Sequence, residues 1–108
     1  MVINVGERDG FGVLEVRGRL NMNSDDEFRE AVTRAMGTGQ FHLLVDLGAT
    51  ESVDSTGLGA LVWAATRLRR DGGDLRLVNA NEYVKMLLQR TNLTKMLPIV
   101  EEPGPEGG

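Results

Sequence analysis

The sequence contains no cysteine and a single histidine, His42. The first absence excludes a disulfide framework and fits a reducing cytoplasm. The second leaves a Ser–His–Asp relay or a zinc site without enough partners. Aromatic side chains are scarce too, with one Trp, one Tyr and three Phe in 108 residues. Leu, Val, Ile, Met and Ala must therefore fill the core. No apolar run approaches the roughly 18 residues of a membrane-spanning helix. The opening residues, MVINVGERDG, have neither the basic start nor the apolar stretch of a signal peptide. An excess of positive charge is also missing. A net charge of −4 and a pI of about 4.9 argue against general nucleic-acid binding. The one basic cluster, Arg67, Arg69 and Arg70, falls at a helix end, where it complements the macrodipole.

Fingerprints of chemistry are lacking as well. Ser55 is not in a G-x-S-x-G elbow, because Val53 and Gly57 do not fit that spacing. Gly57-Leu58-Gly59 lacks the third glycine and the following lysine of phosphate-binding loops. The acidic pairs Asp25-Asp26 and Glu101-Glu102 fall on a helix start and a tail, where they read as solvated charge. The expectation is a protein that is not an enzyme and holds no cofactor or metal.

What is present is a regular alternation of elements. Residues 2–5 read as a first strand and 13–17 as a second, half-buried one, joined through a turn at Gly10. Ser24 with Glu27 has the form of a capping box. Phe28, Ala31, Val32, Ala35 and Met36 follow at helical spacing, and Gly37 and Gly39 end that helix. Residues 41–47 are almost continuously apolar, as in a central strand covered on both faces. A polar loop, 48–54, leads to a helix with Leu58, Leu61, Val62, Ala65 and Leu68 on one face. Asp71-Gly72-Gly73 stops it. Residues 75–78 form a further strand, and Asn81 caps a third helix with Val84, Leu87, Leu88 and Thr91 facing inward. A last short strand is expected at 97–100, then a disordered Pro/Gly-rich tail at 101–108. The pattern predicts one α/β domain over residues 1–100, an N-terminal β-hairpin leading into a mostly parallel mixed sheet with helices packed against it.

One stretch stands out: Val53-Asp54-Ser55-Thr56-Gly57-Leu58-Gly59 follows the central strand and opens a helix. Loops beyond strand C-termini are where partners bind in open α/β sheets. A serine there has its Oγ beside unpaired backbone N–H groups that also accept a phosphate. Gly57 and Gly59 remove side chains, so a partner can approach the backbone closely. From the residues alone two readings stay open. Either Ser55 or Asp54 is only an N-cap, or Ser55 is a phosphorylated switch, with Thr56 as fallback acceptor. Met22, Val53 and Leu58 are either apolar partner contacts or core.

The segment DSTGLG with its preceding strand LLVDLGATESV resembles the hallmark of the STAS family, specifically the bacterial anti-sigma factor antagonists. Arg17-Gly18-Arg19-Leu20-Asn21 sits where that family shows a Gly-Glu-Leu-Asp type motif. Gly73-Asp74-Leu75-Arg76-Leu77-Val78-Asn79 resembles the strand after the switch helix, and Leu87-Leu88-Gln89-Arg90-Thr91-Asn92-Leu93 the next helix and loop. The resemblance implies a cytoplasmic antagonist that binds an anti-sigma factor, itself a serine kinase, and so frees a sigma factor. Phosphorylation at Ser55 would inactivate it and a serine phosphatase would reset it. The implied partner surface comprises Asn21, Met22, Val53, Asp54, Ser55, Thr56, Gly57 and Leu58. Two features depart from the family: Asn21 stands in place of the usual Asp, and the usual C-terminal helix is absent. The second leaves sheet coverage at that end to a homodimer or to another partner. Alternatives are a constitutive STAS subunit of a lipid-transport ATPase complex or stress-signalling particle, and a sensor whose glycines cradle a nucleotide phosphate.

Overall fold

A computed structural model describes residues 1–100. Five strands and three helices follow one another as β1 (Val2–Arg8), β2 (Phe11–Leu20), α1 (Asp25–Gly37), β3 (His42–Asp46), β4 (Thr50–Val53), α2 (Ser55–Arg70), β5 (Asp74–Val78) and α3 (Glu82–Arg90). The predicted tail, 101–108, lies outside the described residues. β1 and β2 form the expected hairpin, closed at Arg8 opposite Phe11. Its two-residue turn, Asp9 (φ 52°) and Gly10 (φ 86°), has positive φ at both positions, the form that matches the twist of paired strands. β3 then joins β2 in parallel and β5 joins β3 in parallel, giving the order β1-β2-β3-β5.

β2 changes partner along its length. Gly12 to Glu15 pair with β3, whereas Gly18, Arg19 and Leu20 pair with β4 after a register shift between Gly18 and Arg19. The predicted polar loop 48–54 is therefore in part a strand. Its sequence, TESV, hides this because Thr50 is buried through a hydrogen bond and not through apolarity. The Thr50 hydroxyl donates to the Val16 carbonyl at 2.7 Å, which offsets the cost of burying it. Conversely, the predicted last strand reduces to one bridge, between Leu77 and Ile99. Leu77 N–H donates to Pro98 O and Val100 N–H to Leu77 O. Pro98 has no N–H of its own with which to extend the ladder.

Alternation sorts the strand residues onto two faces. Leu14, Val16, Leu43, Val45, Leu75 and Leu77 join Phe28 and Val32 of α1, Leu61 and Leu68 of α2 and Leu88 of α3 in the main core. Burying each such large side chain contributes about 1.5–3 kcal/mol. The opposite face holds a smaller cluster, Val13, Leu44 and Val78, flanked by Phe11 and Val100. Two local expectations fail. Ser24 precedes α1 without capping it: its buried hydroxyl instead donates to Arg19 O at 2.7 Å and accepts from Asn21 N–H. Thr91 is exposed and not inward; its hydroxyl donates to Leu87 O at the end of α3. In the basic cluster, Arg67 pairs with Asp71, and Arg69 donates to the carbonyls of Lys95 and Met96. Arg69 thus ties the end of α2 to the segment after α3.

Candidate functional site

β4 delivers the chain to the start of α2. Val53, its last residue, is buried in the core, and the next residue, Asp54, caps the helix. Asp54 Oδ1 accepts from Gly57 N–H at 2.8 Å, with Asp54 in an extended conformation. Of the two capping candidates, Asp54 takes the role, so the Ser55 hydroxyl is not needed to finish the helix. Ser55 is the exposed first residue of α2. In the first turn of a helix the leading N–H groups have no intrahelical acceptor, and the dipole is positive there. α2 has no acidic side chain in that turn.

The β2–α1 turn lies alongside. Asp54 N–H donates to the Leu20 carbonyl at 3.2 Å, so the chain leaves two adjacent strand ends, one toward Asn21 and one toward Ser55. Asn21 is a turn former here: its Oδ1 accepts from Asn23 N–H at 2.9 Å and its carbonyl accepts from Ser24 and Asp25 N–H. Ser24 locks the same turn from inside. Met22 projects from it with 72% of its surface exposed. Glu51, next along β4, lies 3.5 Å from Arg19 Nε in an exposed pair. The pair joins residues 32 apart in sequence, and nothing local signals it.

The structure divides the expected surface residues into two groups. Met22, Asp54 and Ser55 are exposed, and Asn21 and Thr56 are half-buried. Val53, Gly57 and Leu58 are buried. Val53 and Leu58 belong to the core and support the site from beneath. Gly57 is a correction to the sequence reading, because it does not open the backbone to a partner. A Cβ there would overlap the Leu20 carbonyl oxygen, so the glycine allows α2 to seat against β2. Gly59 is the open one, exposed and with empty space at its Cβ position. The sequence contained both glycines but no signal of which one faces inward.

Among the described residues, no three or more His, Asp or Glu side chains are grouped so as to hold a metal ion, and no helix is long and apolar enough to cross a membrane.

The same fold recurs among known proteins. The STAS domain profile matches residues 2–103. An anti-sigma F factor antagonist of Paenibacillus polymyxa is 30% identical over 93 residues, 83% of this chain and 80% of that protein. A Thermotoga maritima crystal structure, assigned as an anti-sigma factor antagonist, superposes with a TM-score of 0.84 at 27% identity, covering 96% of this chain and 89% of that one. The Bacillus cell fate determinant SpoIIAA in its phosphorylated form shares the fold, with a TM-score of 0.74 at 16% identity, over 97% of this chain and 95% of its own. The chain belongs to the STAS domain family.

Proposed function

We propose that this domain is an anti-sigma factor antagonist whose binding is switched at Ser55. Unphosphorylated, it binds an anti-sigma factor that is also a serine kinase, and the sigma factor is released. Phosphorylated at Ser55 it loses that partner until a serine phosphatase restores it. All of this takes place in the cytoplasm, with no catalysis by the domain itself. Asn21, Met22, Asp54, Ser55 and Thr56 form the contact surface, over a base of Val53, Gly57 and Leu58. The observation that carries the reading is Ser55 itself, exposed at the start of α2 with capping already supplied by Asp54.

The physics favours a switch of binding over a switch of folding. A phosphoserine adds about −1.5 to −2 charges. At a helix start it gains about 0.3–1 kcal/mol from the dipole, while Asp54 opposes it through solvent-screened repulsion. These terms nearly cancel in the free domain. In an interface the same dianion must be desolvated, at a cost of several kcal/mol, and each 1.4 kcal/mol is about tenfold in affinity. SpoIIAA in its phosphorylated form, with the same fold, is consistent with a fold that tolerates the modification.

The test is a differential capture from host lysate with wild-type and Ser55→Asp baits, read by mass spectrometry. Retention of a small kinase-type ATPase by wild type and its loss by Ser55→Asp is the expected result. Equal retention of one partner by both baits would instead identify a constitutive subunit of a larger assembly, with Ser55 a mere helix-start residue.

A further inference from the structure

The chain carries no thiol, so all of its sulfur is thioether, in five methionines. These are not equally placed. Met1, Met36 and Met96 pack against the main core. Met86, on α3, is 47% exposed and Met22 72%. A thioether is a soft nucleophile, and its reaction with an oxidant requires access to the sulfur. Met22 is therefore the sulfur that a small oxidant reaches most readily.

The position of Met22 in the fold gives that chemistry a consequence. Leu20 and Val53 are paired at the ends of β2 and β4. Met22 lies two residues beyond the first and Ser55 two residues beyond the second. The turn that carries Met22 is fixed from within. The Ser24 hydroxyl donates to Arg19 O and accepts from Asn21 N–H, and Asn21 Oδ1 accepts from Asn23 N–H. None of these bonds uses the Met22 side chain. A change in its polarity alters what the surface offers a partner and leaves the turn standing. As a thioether, Met22 is a flexible apolar contact. As a sulfoxide it brings a polar oxygen into that contact, at a cost wherever the partner supplies no donor.

We propose that Met22 is an oxidation site and that its sulfoxide weakens binding at the Ser55 surface; the effect on binding rests on the reading of that surface as the docking face for an anti-sigma factor. With hydrogen peroxide as the oxidant, a sulfur lone pair attacks one peroxide oxygen. The S–O bond forms as the O–O bond breaks, and sulfur gives up two electrons. The departing hydroxide takes the proton of the transferred oxygen and leaves as water. A dithiol reductant reverses the step, becoming a disulfide while the oxygen departs as water. Oxidation and phosphorylation then act on one surface through different residues.

The test treats the full chain with graded hydrogen peroxide, quenches it with catalase and maps sulfoxides by mass spectrometry of peptides. Met22 sulfoxide is expected first, ahead of Met86, with the melting temperature unchanged. Affinity for the kinase-type partner captured by untreated wild type is then measured with each sample. Oxidation of wild type is expected to lower it about tenfold, with recovery after a methionine sulfoxide reductase and dithiothreitol. Met22→Leu keeps an apolar side chain of similar size, so it should bind as untreated wild type does and keep its affinity after peroxide. Sulfoxide at Met86 or at a core methionine ahead of Met22 overturns the proposal. So does an affinity that oxidation of Met22 leaves unchanged, or an equal loss in Met22→Leu. Absence of any partner that distinguishes wild type from Ser55→Asp sinks the Ser55 reading and the effect on binding with it. The order of oxidation is read on the domain alone in either case.

Discussion

The carbonyl oxygen of Leu20, at the end of β2, occupies the space that a side chain at Gly57 would need. The same oxygen accepts the Asp54 N–H, so one backbone group fixes both the cap and the first turn of the helix that presents Ser55. Gly57→Ala must push α2 away from β2, and backbone cannot yield as a flexible side chain can. Destabilisation of about 1–3 kcal/mol is expected, as for other overpacked sites. Gly59→Ala meets open space and removes a helix-interior glycine, so it should stabilise the free domain by about 0.5–1 kcal/mol. Urea unfolding of the two variants should therefore give shifts of opposite sign. Shifts of the same sign would show that the packing of Gly57 against Leu20 does not matter.

The cap itself makes a second prediction. Asp54→Ala removes the acceptor for Gly57 N–H and should cost about 0.5–2 kcal/mol. Asp54→Asn keeps an acceptor oxygen and should stay within a few tenths of a kcal/mol of wild type. A large loss in both variants would mean that charge at this position, and not capping, holds the start of α2.

A third prediction concerns pH. Asp74 lies on β5 with His42 Nδ1 at 2.7 Å from one carboxylate oxygen and Arg76 Nε at 2.7 Å from the other. Partial burial alone would raise its pKa, but the bonds from His42 and Arg76 and the Arg76 charge outweigh that and hold the carboxyl below its ordinary value. A carboxylate with a lowered folded-state pKa adds stability above its unfolded pKa, and that stability is lost as pH falls through the folded value. Asp74→Asn should thus be less stable than wild type at pH 7, and the gap should narrow below about pH 4. Denaturant midpoints at pH 7 and pH 3 measure this. A gap that is constant across that range would remove ionisation of Asp74 as the cause.

The β2–α1 turn gives a fourth. Ser24 is buried, and its hydroxyl serves both Arg19 O and Asn21 N–H, so Ser24→Ala should cost about 1–3 kcal/mol by stranding those groups. Asn21→Asp preserves the oxygen that receives Asn23 N–H, so its melting temperature should match wild type. It would place the residue usual in the family beside the Ser55 surface. A faster phosphoryl transfer to this variant by the cognate kinase would show that Asn21 slows the switch, and an unchanged rate that the turn alone is what matters.

Much of the fold was legible because its signals are local. Helical spacing placed Phe28 and Val32 inward on α1, and Leu58, Leu61 and Leu68 inward on α2. Asn81 was identified as the cap of α3, and its side chain accepts from Val84 N–H at 2.9 Å. The start of α2 at Ser55 was legible too, from a polar stretch followed by a periodic one. Ser24 shows the limit of such reasoning. Its spacing to Glu27 suits a capping box, but Arg19 O lies within reach of the same hydroxyl and takes it.

Local signals in the chain were enough for the three helices, for four of the five strands, for the face that each helix buries, and for the serine placed at a helix start. Those properties follow from contacts two to four residues apart, and the chain carries them wherever it folds. Long-range packing settles the rest: that Thr50–Val53 is a strand, that Gly57 and not Gly59 faces inward, and that His42 and Asp74 meet. Each of these depends on a group far away in the chain: Val16 O for Thr50, Leu20 O for Gly57, and a parallel register that sets His42 opposite Asp74. No residue spacing encodes such meetings, because they exist only once β2, β3, β4 and β5 lie side by side.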